Sequence, residues 1–279
     1  MEKQNILVVG ASGSVGSEVV HLLKAQGHNV KAATSKIPQA KEQVQIDLVT
    51  GVGIKEAFDG VDRAFFMSPP GYADQHKILS PLIQEAKRRS LKKIVLMTAM
   101  GANAVETSPF RKAEIELEKS GLHYNIVRPN WFMQNFHTFW IQGIREQRKI
   151  LLPVGQAQVS FIDARDIAEV IAKLLLDSKL SNKAFDITGP EALDHHEVAN
   201  MISLATNKEI IYQEIEPQVL KDNLLKVGFP SDYVEFLLMI LDFLRKGYNA
   251  QITNGVEEVL GRKPRTMKQY TEDFKNMWI

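Results

Sequence analysis

Near its N-terminus the chain reads Ile6-Leu7-Val8-Val9-Gly10-Ala11-Ser12-Gly13-Ser14-Val15-Gly16, an apolar run followed by a turn with three glycines. The apolar run predicts a buried strand, and the helical spacing of Val15, Val19 and Leu22 predicts a helix directly after the turn. Glycines at these positions let the chain turn tightly, let a ligand approach the backbone and let the helix pack closely on the sheet. Because the free N–H groups at the start of a helix attract anions, the stretch favours a pyrophosphate site over a plain tight turn.

The end of the second predicted strand bears on which dinucleotide such a site would hold. An NAD site usually has an acidic residue about 20 positions after the turn, where it binds the ribose 2′-hydroxyl. Residues 19–41 contain no Asp or Glu, and the strand instead ends in Thr34-Ser35-Lys36. Two hydroxyls and an ammonium group suit a 2′-phosphate, so NADP(H) is the favoured cofactor and NAD(H) the alternative. A solvated Lys36 that contacts nothing also stays open.

Two further strand ends are candidate cofactor contacts. Asp47-Leu48 follows the third predicted strand, where a carboxylate can accept from the adenine amino group, although an ordinary surface Asp fits the same position. Met67 ends the fourth strand and Ser68-Pro69-Pro70 follows it. The prolines would form a wall along the cofactor's ribose or mark only a loop.

Alternating strand-length and helical patterns predict the architecture of the first 130 residues. Helices are expected near 74–90 and 109–120, and six apolar segments read as strands, at 6–9, 30–34, 44–46, 64–67, 94–98 and 124–127. This is the order of repeated βαβ units, which form a parallel sheet. We therefore expect an α/β fold, with a Rossmann-type doubly wound parallel sheet in a dinucleotide-binding domain over residues 1–150.

After Pro129 the pattern changes. An aromatic helix over 131–144, a short extended pair around 150–161 and a helix over 163–176 precede one more strand at about 184–188. Helical patterns then continue to the end of the chain. We expect residues 151–279 to form a smaller, mainly helical substrate lobe that returns this strand to the sheet.

The composition excludes several classes of function. Lys and Arg total 34 and Asp and Glu 33, so the net charge is +1 and nucleic-acid binding is not expected. The chain has no cysteine, which excludes disulfides, thiolate metal sites and cysteine nucleophiles. The longest apolar stretch, 236–244, is far shorter than the roughly 20 residues of a membrane span. Together with an N-terminus that lacks a signal-peptide pattern, these features predict a cytoplasmic protein with no membrane partner.

Several stretches together carry a resemblance to a known family. They are the glycine turn, the Asp47-Leu48 pair, Ser120-Gly121-Leu122, Val127-Arg128-Pro129-Asn130-Trp131-Phe132-Met133-Gln134-Asn135, Phe161-Ile162-Asp163-Ala164-Arg165-Asp166-Ile167-Ala168 and Thr188-Gly189-Pro190-Glu191-Ala192-Leu193. In their order and spacing they resemble the NmrA-like branch of the atypical short-chain dehydrogenase/reductases. The resemblance spans nearly the whole chain.

The resemblance implies a nicotinamide cofactor along the C-terminal edge of the sheet and a substrate pocket between the sheet and the C-terminal lobe. It also implies that Pro129, Asn130, Trp131 and Phe132 face the nicotinamide and that Thr98 takes the position of a catalytic serine. Members of this branch include quinone, azo-dye, triphenylmethane and ergot-alkaloid reductases. Others are regulators that bind the cofactor without turning it over, and fold alone does not choose between the two.

The chain departs from the usual short-chain dehydrogenase motif, in which a Tyr is followed four residues later by a Lys that lowers the pKa of its phenol. The residues four places after the six tyrosines are His76, Arg128, Glu216, Leu237, Ile252 and Phe274. This absence disfavours an alcohol dehydrogenase or a sugar-nucleotide epimerase. It favours hydride transfer to a small, flat and aromatic acceptor that needs little proton assistance, such as a quinone, azo, iminium or dye-like group.

The proton donor of such a reductase is not identified by a motif. Candidates are Thr98, His76, Lys112 and Tyr72, with water as the alternative. The rival hypothesis is a catalytically silent, NAD(P)-sensing regulator that binds a protein partner. Self-association as a homodimer stays open.

Other patterns have simpler interpretations. His195-His196-Glu197 lacks the second histidine of a zinc motif, and Asp194 with Glu197 predicts a helix cap, so no metal is expected. Glu114, Glu116 and Glu118 read as a solvated helix face. The aromatic residues of 131–140 predict core packing, part of a nicotinamide pocket, or both.

Overall fold

A computed structural model describes residues 2–279, and its central feature is a seven-stranded sheet in the order β3-β2-β1-β4-β5-β6-β8. Strands β1 to β6 pair in parallel. The nine strands are β1 Asn5–Val8, β2 Asn29–Thr34, β3 Gln43–Gln45, β4 Arg63–Met67, β5 Lys93–Met97, β6 Tyr124–Pro129, β7 Lys149–Leu152, β8 Lys183–Ile187 and β9 Ile211–Glu214. The predicted Rossmann-type doubly wound sheet is confirmed.

Ten α-helices accompany the strands over the described residues. They are α1 Ser14–Ala25, α2 Ile54–Ala57, α3 Gln75–Arg88, α4 Pro109–Glu118, α5 Ala164–Leu176, α6 His195–Thr206, α7 Pro217–Lys226, α8 Ser231–Arg245, α9 Gly255–Leu260 and α10 Met267–Phe274. Within residues 2–279, none of these helices is both long and apolar enough to cross a membrane.

The strand order reverses between β1 and β4, because the chain runs outward through β2 and β3 and then returns to the other side of β1. Ligands of open α/β sheets bind beyond the carboxyl ends of the strands at such a reversal. The strands on either side are buried on both faces, as parallel strands covered by helices are; Leu7, Ala64 and Leu96 are fully buried. The glycine turn and Met67 follow directly at these ends.

The chain forms two compact units, each built from discontinuous segments. The first contains the chain up to Pro129 together with Arg165–Asp186 and Glu258–Gly261, and the second contains Asn130–Ala164, Ile187–Glu257 and Arg262–Ile279. The division differs from the single boundary expected at residue 150. It falls at the end of β6, and α5 with most of β8 belongs to the first unit.

Two predictions for the second unit are wrong. The aromatic segment is not one helix over 131–144 but a 3-10 turn, Met133–His137, followed by a π-helical turn, Gly143–Gln147. A Cβ on Gly143 would lie 2.9 Å from the Lys149 carbonyl, so the chain turns back tightly into β7 there. The expected extended pair around 150–161 is also absent as such, because β7 pairs in parallel with the distant β9.

Candidate functional site

The protein's own packing accounts for two glycines of the turn. Gly10 has φ +77°, a left-handed conformation, and a Cβ there would lie 2.6 Å from the Met67 sulfur. A Cβ on Gly16 would lie 2.1 Å from the Gly10 carbonyl oxygen, so α1 can approach β1 only through a residue without a side chain. These contacts join the start of α1 to the ends of β1 and β4.

Gly13 has no comparable internal reason to be glycine. Its φ is −83°, open to any residue, and the nearest atom to an added Cβ is the Gly10 oxygen at an ordinary 3.5 Å. It is the N-cap of α1, no side chain caps this terminus, and the first helical turn contains no acidic residue. Ser12, Gly13 and Ser14 are exposed. The exposed, uncapped start of α1 therefore has the shape and the polarity that a pyrophosphate group requires.

The residues predicted to bind a 2′-phosphate lie at the end of β2. Thr34 is half-buried, and its Oγ1 accepts a hydrogen bond of 3.2 Å from the Lys36 backbone N–H. The side chains of Ser35 and Lys36 are exposed. The hydroxyls and the ammonium group therefore occupy one short, accessible turn after the strand.

Asp47 forms a turn as well as marking a strand end. Its Oδ1 accepts hydrogen bonds from the backbone N–H groups of Val49 at 2.8 Å and Thr50 at 3.1 Å. The bonds from Thr50 and Val49 lower the pKa of the carboxyl group below its usual value. Oδ1 thus accepts both of these backbone hydrogen bonds, and Oδ2 accepts neither of them. Leu48 packs half-buried against the core of the first unit.

Met67 ends β4, and Ser68 follows it at the edge of the sheet. Both are half-buried, and Ser68 Oγ donates to the Pro69 carbonyl oxygen at 3.3 Å. Met67 contributes the side chain that lies against Gly10. The structure thus places the glycine turn and the 67–69 segment at one edge of the first unit.

Thr98, the expected serine equivalent, belongs to a buried polar cluster that follows β5. Its hydroxyl donates a 2.7 Å hydrogen bond to Glu114 Oε1 on α4. Arg128 on β6 donates to both oxygens of the same carboxylate at 2.8 Å, and Arg111 donates to Oε2 at 3.2 Å. Glu114 is completely buried and Thr98 is 5% exposed. The interpretation of Glu114 as part of a solvated helix face is therefore wrong.

This cluster constrains what Thr98 can do. A carboxylate paired with two guanidinium groups only accepts hydrogen bonds, so the Thr98 hydroxyl proton is directed toward Glu114. Burial alone would lower the pKa of Arg128, but its hydrogen bonds to Glu114 and the charge of that carboxylate raise the pKa above its usual value. Arg128 is thus held as a cation, and the Thr98 oxygen retains lone pairs only.

The other candidate proton donors lie apart from this cluster or at the surface. His76 Nε2 lies 2.8 Å from Glu116 Oε2, and Glu116 also accepts from Ser80 at 2.9 Å. Glu116 is half-buried, so it too is not a simply solvated residue. Lys112 is exposed, and Tyr72 is half-buried.

The residues expected to face the nicotinamide divide at the end of β6. Pro129 ends that strand, whereas Asn130 is buried in a network of the second unit, where its Nδ2 donates to Ser160 Oγ and the Asn249 carbonyl at 2.8 Å. Its Oδ1 accepts from the Trp131 N–H at 2.9 Å. The Asn130 side chain thus stabilises its own loop through these hydrogen bonds.

The aromatic side chains that follow divide between core and surface. Trp131 stacks on Trp140 at 6.3 Å, and Phe136 is completely buried in the core of the second unit. Phe139 is 60% exposed. Trp131 and Phe132 remain half-buried. Core packing therefore uses part of the segment and leaves the remainder accessible.

Sequence reasoning missed the roles of Glu114 and Arg128. One signal was present: Arg128 follows the apolar residues Ile126 and Val127 in a strand, and a buried arginine requires a carboxylate partner. The spacing of three glutamates on α4 did not show which of them turns inward.

Comparisons with known proteins agree with this geometry. A profile of the NmrA-like family matches residues 2–275. The chain is 31% identical over 280 residues to the NAD(P)H azoreductase of Xenophilus azovorans, covering 96% of each chain. It is 30% identical over 285 residues to Prestalk A differentiation protein A of Dictyostelium discoideum, covering 98% of this chain and 94% of that protein.

Two solved structures share the fold. The triphenylmethane reductase of Citrobacter sp., complexed with NADP(H), has a TM-score of 0.81 at 19% identity and covers 97% of this chain and 99% of its own. NmrA, a negative transcriptional regulator in complex with NAD, has a TM-score of 0.79 at 18% identity and covers 99% and 97%. Reductases and a regulator therefore have the same fold. Since the family profile spans nearly the whole chain, this protein is a member of the NmrA-like family.

Proposed function

We propose that this protein is an NAD(P)H-dependent reductase, with NADPH favoured, that transfers hydride to a small, flat electrophile of the quinone, azo, iminium or dye class. The single observation that carries the proposal is the uncapped, exposed start of α1 at Gly13. Neither packing nor backbone conformation requires glycine there, so its absence of a side chain is explained by a ligand that approaches the backbone.

The binding roles follow from the carboxyl ends of the strands. The turn from Gly10 to Gly16, including Ala11, Ser12, Ser14 and Val15, would hold the pyrophosphate. Thr34, Ser35 and Lys36 would hold a 2′-phosphate, since they combine hydroxyl donors with a cation. The Asp47 oxygen that the turn does not use would accept from the adenine amino group, with Leu48 beside it. Met67, Ser68 and Pro69 would line the ribose.

Thr98 acts as an acceptor in this proposal. Because its proton is directed to Glu114, the hydroxyl oxygen would accept a hydrogen bond from the nicotinamide ribose and would not protonate the substrate. The buried Glu114–Arg128 pair holds this oxygen in place. Pro129, Asn130, Trp131 and Phe132 remain the proposed nicotinamide-facing segment, with Trp131 and Phe132 supplying flat apolar surface.

Protonation of the product is the step with the least support from side chains. A bound reduced nicotinamide would supply the hydride with both electrons, and a quinone would then need one proton, taken from solvent or from a side chain. His76 is the candidate with a defined partner, because its Nε2 lies 2.8 Å from Glu116 Oε2. Lys112 and Tyr72 stay as alternatives, and water would also suffice.

The proposal is tested by titrating the purified protein with NADPH and with NADH, and then adding menadione or an azo dye while following cofactor absorbance. We expect tighter binding of NADPH and oxidation that depends on the acceptor. Binding of cofactor without oxidation by any acceptor would contradict the reductase and support the alternative, an NAD(P)-sensing regulator. That alternative is favoured by the absence of a Tyr-x-x-x-Lys motif.

A further inference from the structure

A cavity of about 390 Å³ lies in the second unit, apart from every residue assigned above to the cofactor or the substrate. Its lining residues are Ile144, Arg145, Arg148, Lys208, Ile210, Trp278 and Ile279. Three of the seven are cations, and none has a carboxylate side chain. The volume is within the usual range of small-molecule sites. In a chain of net charge +1, this is a marked local excess of positive charge.

The cations of the cavity are not neutralised by the protein. Within residues 2–279, no ion pair joins Arg145, Arg148 or Lys208 to an acidic side chain. Arg145 Nε donates to the Met277 carbonyl oxygen at 2.7 Å, which orients its guanidinium group. Glu146 accepts from Gln142 at 3.2 Å and does not line the cavity. The cavity thus has donors and charge to offer to an anion.

Backbone hydrogen bonds hold Arg148 in an unusual conformation. Arg148 has φ +56° and ψ +35°, a left-handed conformation that is costly for an arginine. Its N–H donates to the Ile144 carbonyl at 3.1 Å, and its carbonyl accepts from the Ile211 N–H at 3.0 Å, so the conformation is held from both sides. It ends a π-helical turn, a rare element that is frequent at functional sites.

Apolar side chains form the packed floor of the cavity. Ile144, Ile210 and Trp278 are 1%, 4% and 2% exposed, and the Trp278 indole N–H donates to the Phe136 carbonyl at 2.8 Å. Because these side chains are almost fully covered, the surface open to a ligand is chiefly that of the cations. Such a lining favours a small molecule with an anionic group.

We propose that this cavity binds a small anion, an organic phosphate or carboxylate. Arg145, Arg148 and Lys208 would bind the anionic group. The proposal does not depend on the reductase activity, because none of these residues belongs to the proposed cofactor or substrate site.

The test is isothermal titration calorimetry of the full-length protein, saturated with NADPH, against phenyl phosphate. Arg148→Asn is the first variant, because asparagine tolerates the left-handed conformation and the fold is retained. Lys208→Gln is the second, and Lys226→Gln, an exposed lysine of α7, is the control. We expect each of the first two to raise the Kd of phenyl phosphate about tenfold and the control to leave it unchanged.

A comparison ligand tests the need for charge. Benzyl alcohol should bind more weakly than phenyl phosphate because it lacks the charge. Equal affinity of the two for the cavity would overturn the assignment to an anion. Loss of the signal in the presence of NADPH, or identical affinity in all variants, would overturn the site itself.

Discussion

Substitutions at Gly13 can separate an effect on cofactor binding from an effect on the stability of the fold. Aspartate is a preferred N-cap and its charge suits the positive end of α1, so Gly13→Asp should leave the free energy of unfolding unchanged or raise it by up to about 1 kcal/mol. The same carboxylate would repel a pyrophosphate. We expect NADPH binding, followed by fluorescence titration, to weaken by about 100-fold or more.

The matched variant Gly13→Asn has nearly the same size without the charge. Its NADPH affinity should fall by about tenfold, because the added side chain occupies space that the pyrophosphate needs but carries no charge. Wild-type affinity in both variants would remove Gly13 from the cofactor site.

Substitution of Lys36 tests the predicted preference for NADPH over NADH. Lys36→Glu should lower the affinity for NADPH by about tenfold and change that for NADH little, because only NADPH has the 2′-phosphate that the new charge repels. Lys41→Glu, an exposed lysine beyond the strand end, is the control for a general change of surface charge. Equal losses for both cofactors in Lys36→Glu would refute the 2′-phosphate assignment.

Glu114 is the residue whose loss should cost the most stability. Glu114→Gln leaves Arg128 buried without the carboxylate that it contacts in bidentate fashion. Breaking a buried pair in this way lowers the free energy of unfolding by about 3 kcal/mol. Glu118→Gln, a half-buried position on the same helix, should lower it by less than about 1 kcal/mol in the same urea titration. Similar losses in the two variants would contradict the structural role of Glu114.

At the scale of elements, α6 begins with a capping box in which both reciprocal hydrogen bonds are present. Asp194 Oδ1 accepts from the Glu197 N–H at 2.8 Å, and Glu197 Oε2 accepts from the Asp194 N–H at 2.8 Å. The predicted cap is confirmed. It explains the His195-His196-Glu197 sequence without a ligand, because Glu197 reaches back to the backbone and His195 turns into the core.

The cap predicts a graded effect on stability. Asp194→Ala should lower the free energy of unfolding by about 1 kcal/mol, because the Glu197 N–H loses its side-chain acceptor. Asp194→Asn should recover most of this loss, since its side-chain oxygen can still accept from the Glu197 N–H. A loss of equal size in both variants, measured by chemical denaturation, would show that the charge and not the cap matters.

At the scale of the whole molecule, His195 links folding to pH. It is completely buried among the rings of Phe136, Phe161 and Tyr212, and neither ring nitrogen has a hydrogen-bond partner among residues 2–279. Burial lowers its pKa from 6.5 to about 4. Below pH 6.5 the unfolded chain therefore binds a proton that the folded chain does not bind, so stability falls as the pH falls.

This linkage has a measurable size. Between pH 7.5 and pH 5, His195 should account for a loss of about 2 kcal/mol in the free energy of unfolding. In His195→Leu that share of the pH dependence should vanish, while stability at pH 7.5 is kept or improved. An unchanged difference between the two pH values in the variant would mean that other groups cause the acid sensitivity.

The local pattern of the sequence was sufficient for the sheet and its glycine turn. Strand periodicity, helix caps and glycine positions depend on near neighbours along the chain, and β1 to β6 lie within about two residues of their predicted bounds. The aromatic segment after Pro129 has helical spacing too, yet it forms two short turns because Gly143 must pass close to the Lys149 carbonyl.

Tertiary contacts alone determined which polar residues are buried and what they contact. Glu114 and Arg128 meet from α4 and β6, and three cations from two distant segments line one cavity of the second unit. Pairing of β7 with β9 joins residues about 60 positions apart. Such contacts depend on how elements pack, and the charge or spacing of residues on a single element does not specify its partner. The sheet and its glycine turn could therefore be predicted from the sequence, whereas the buried charges and the basic cavity required the folded structure.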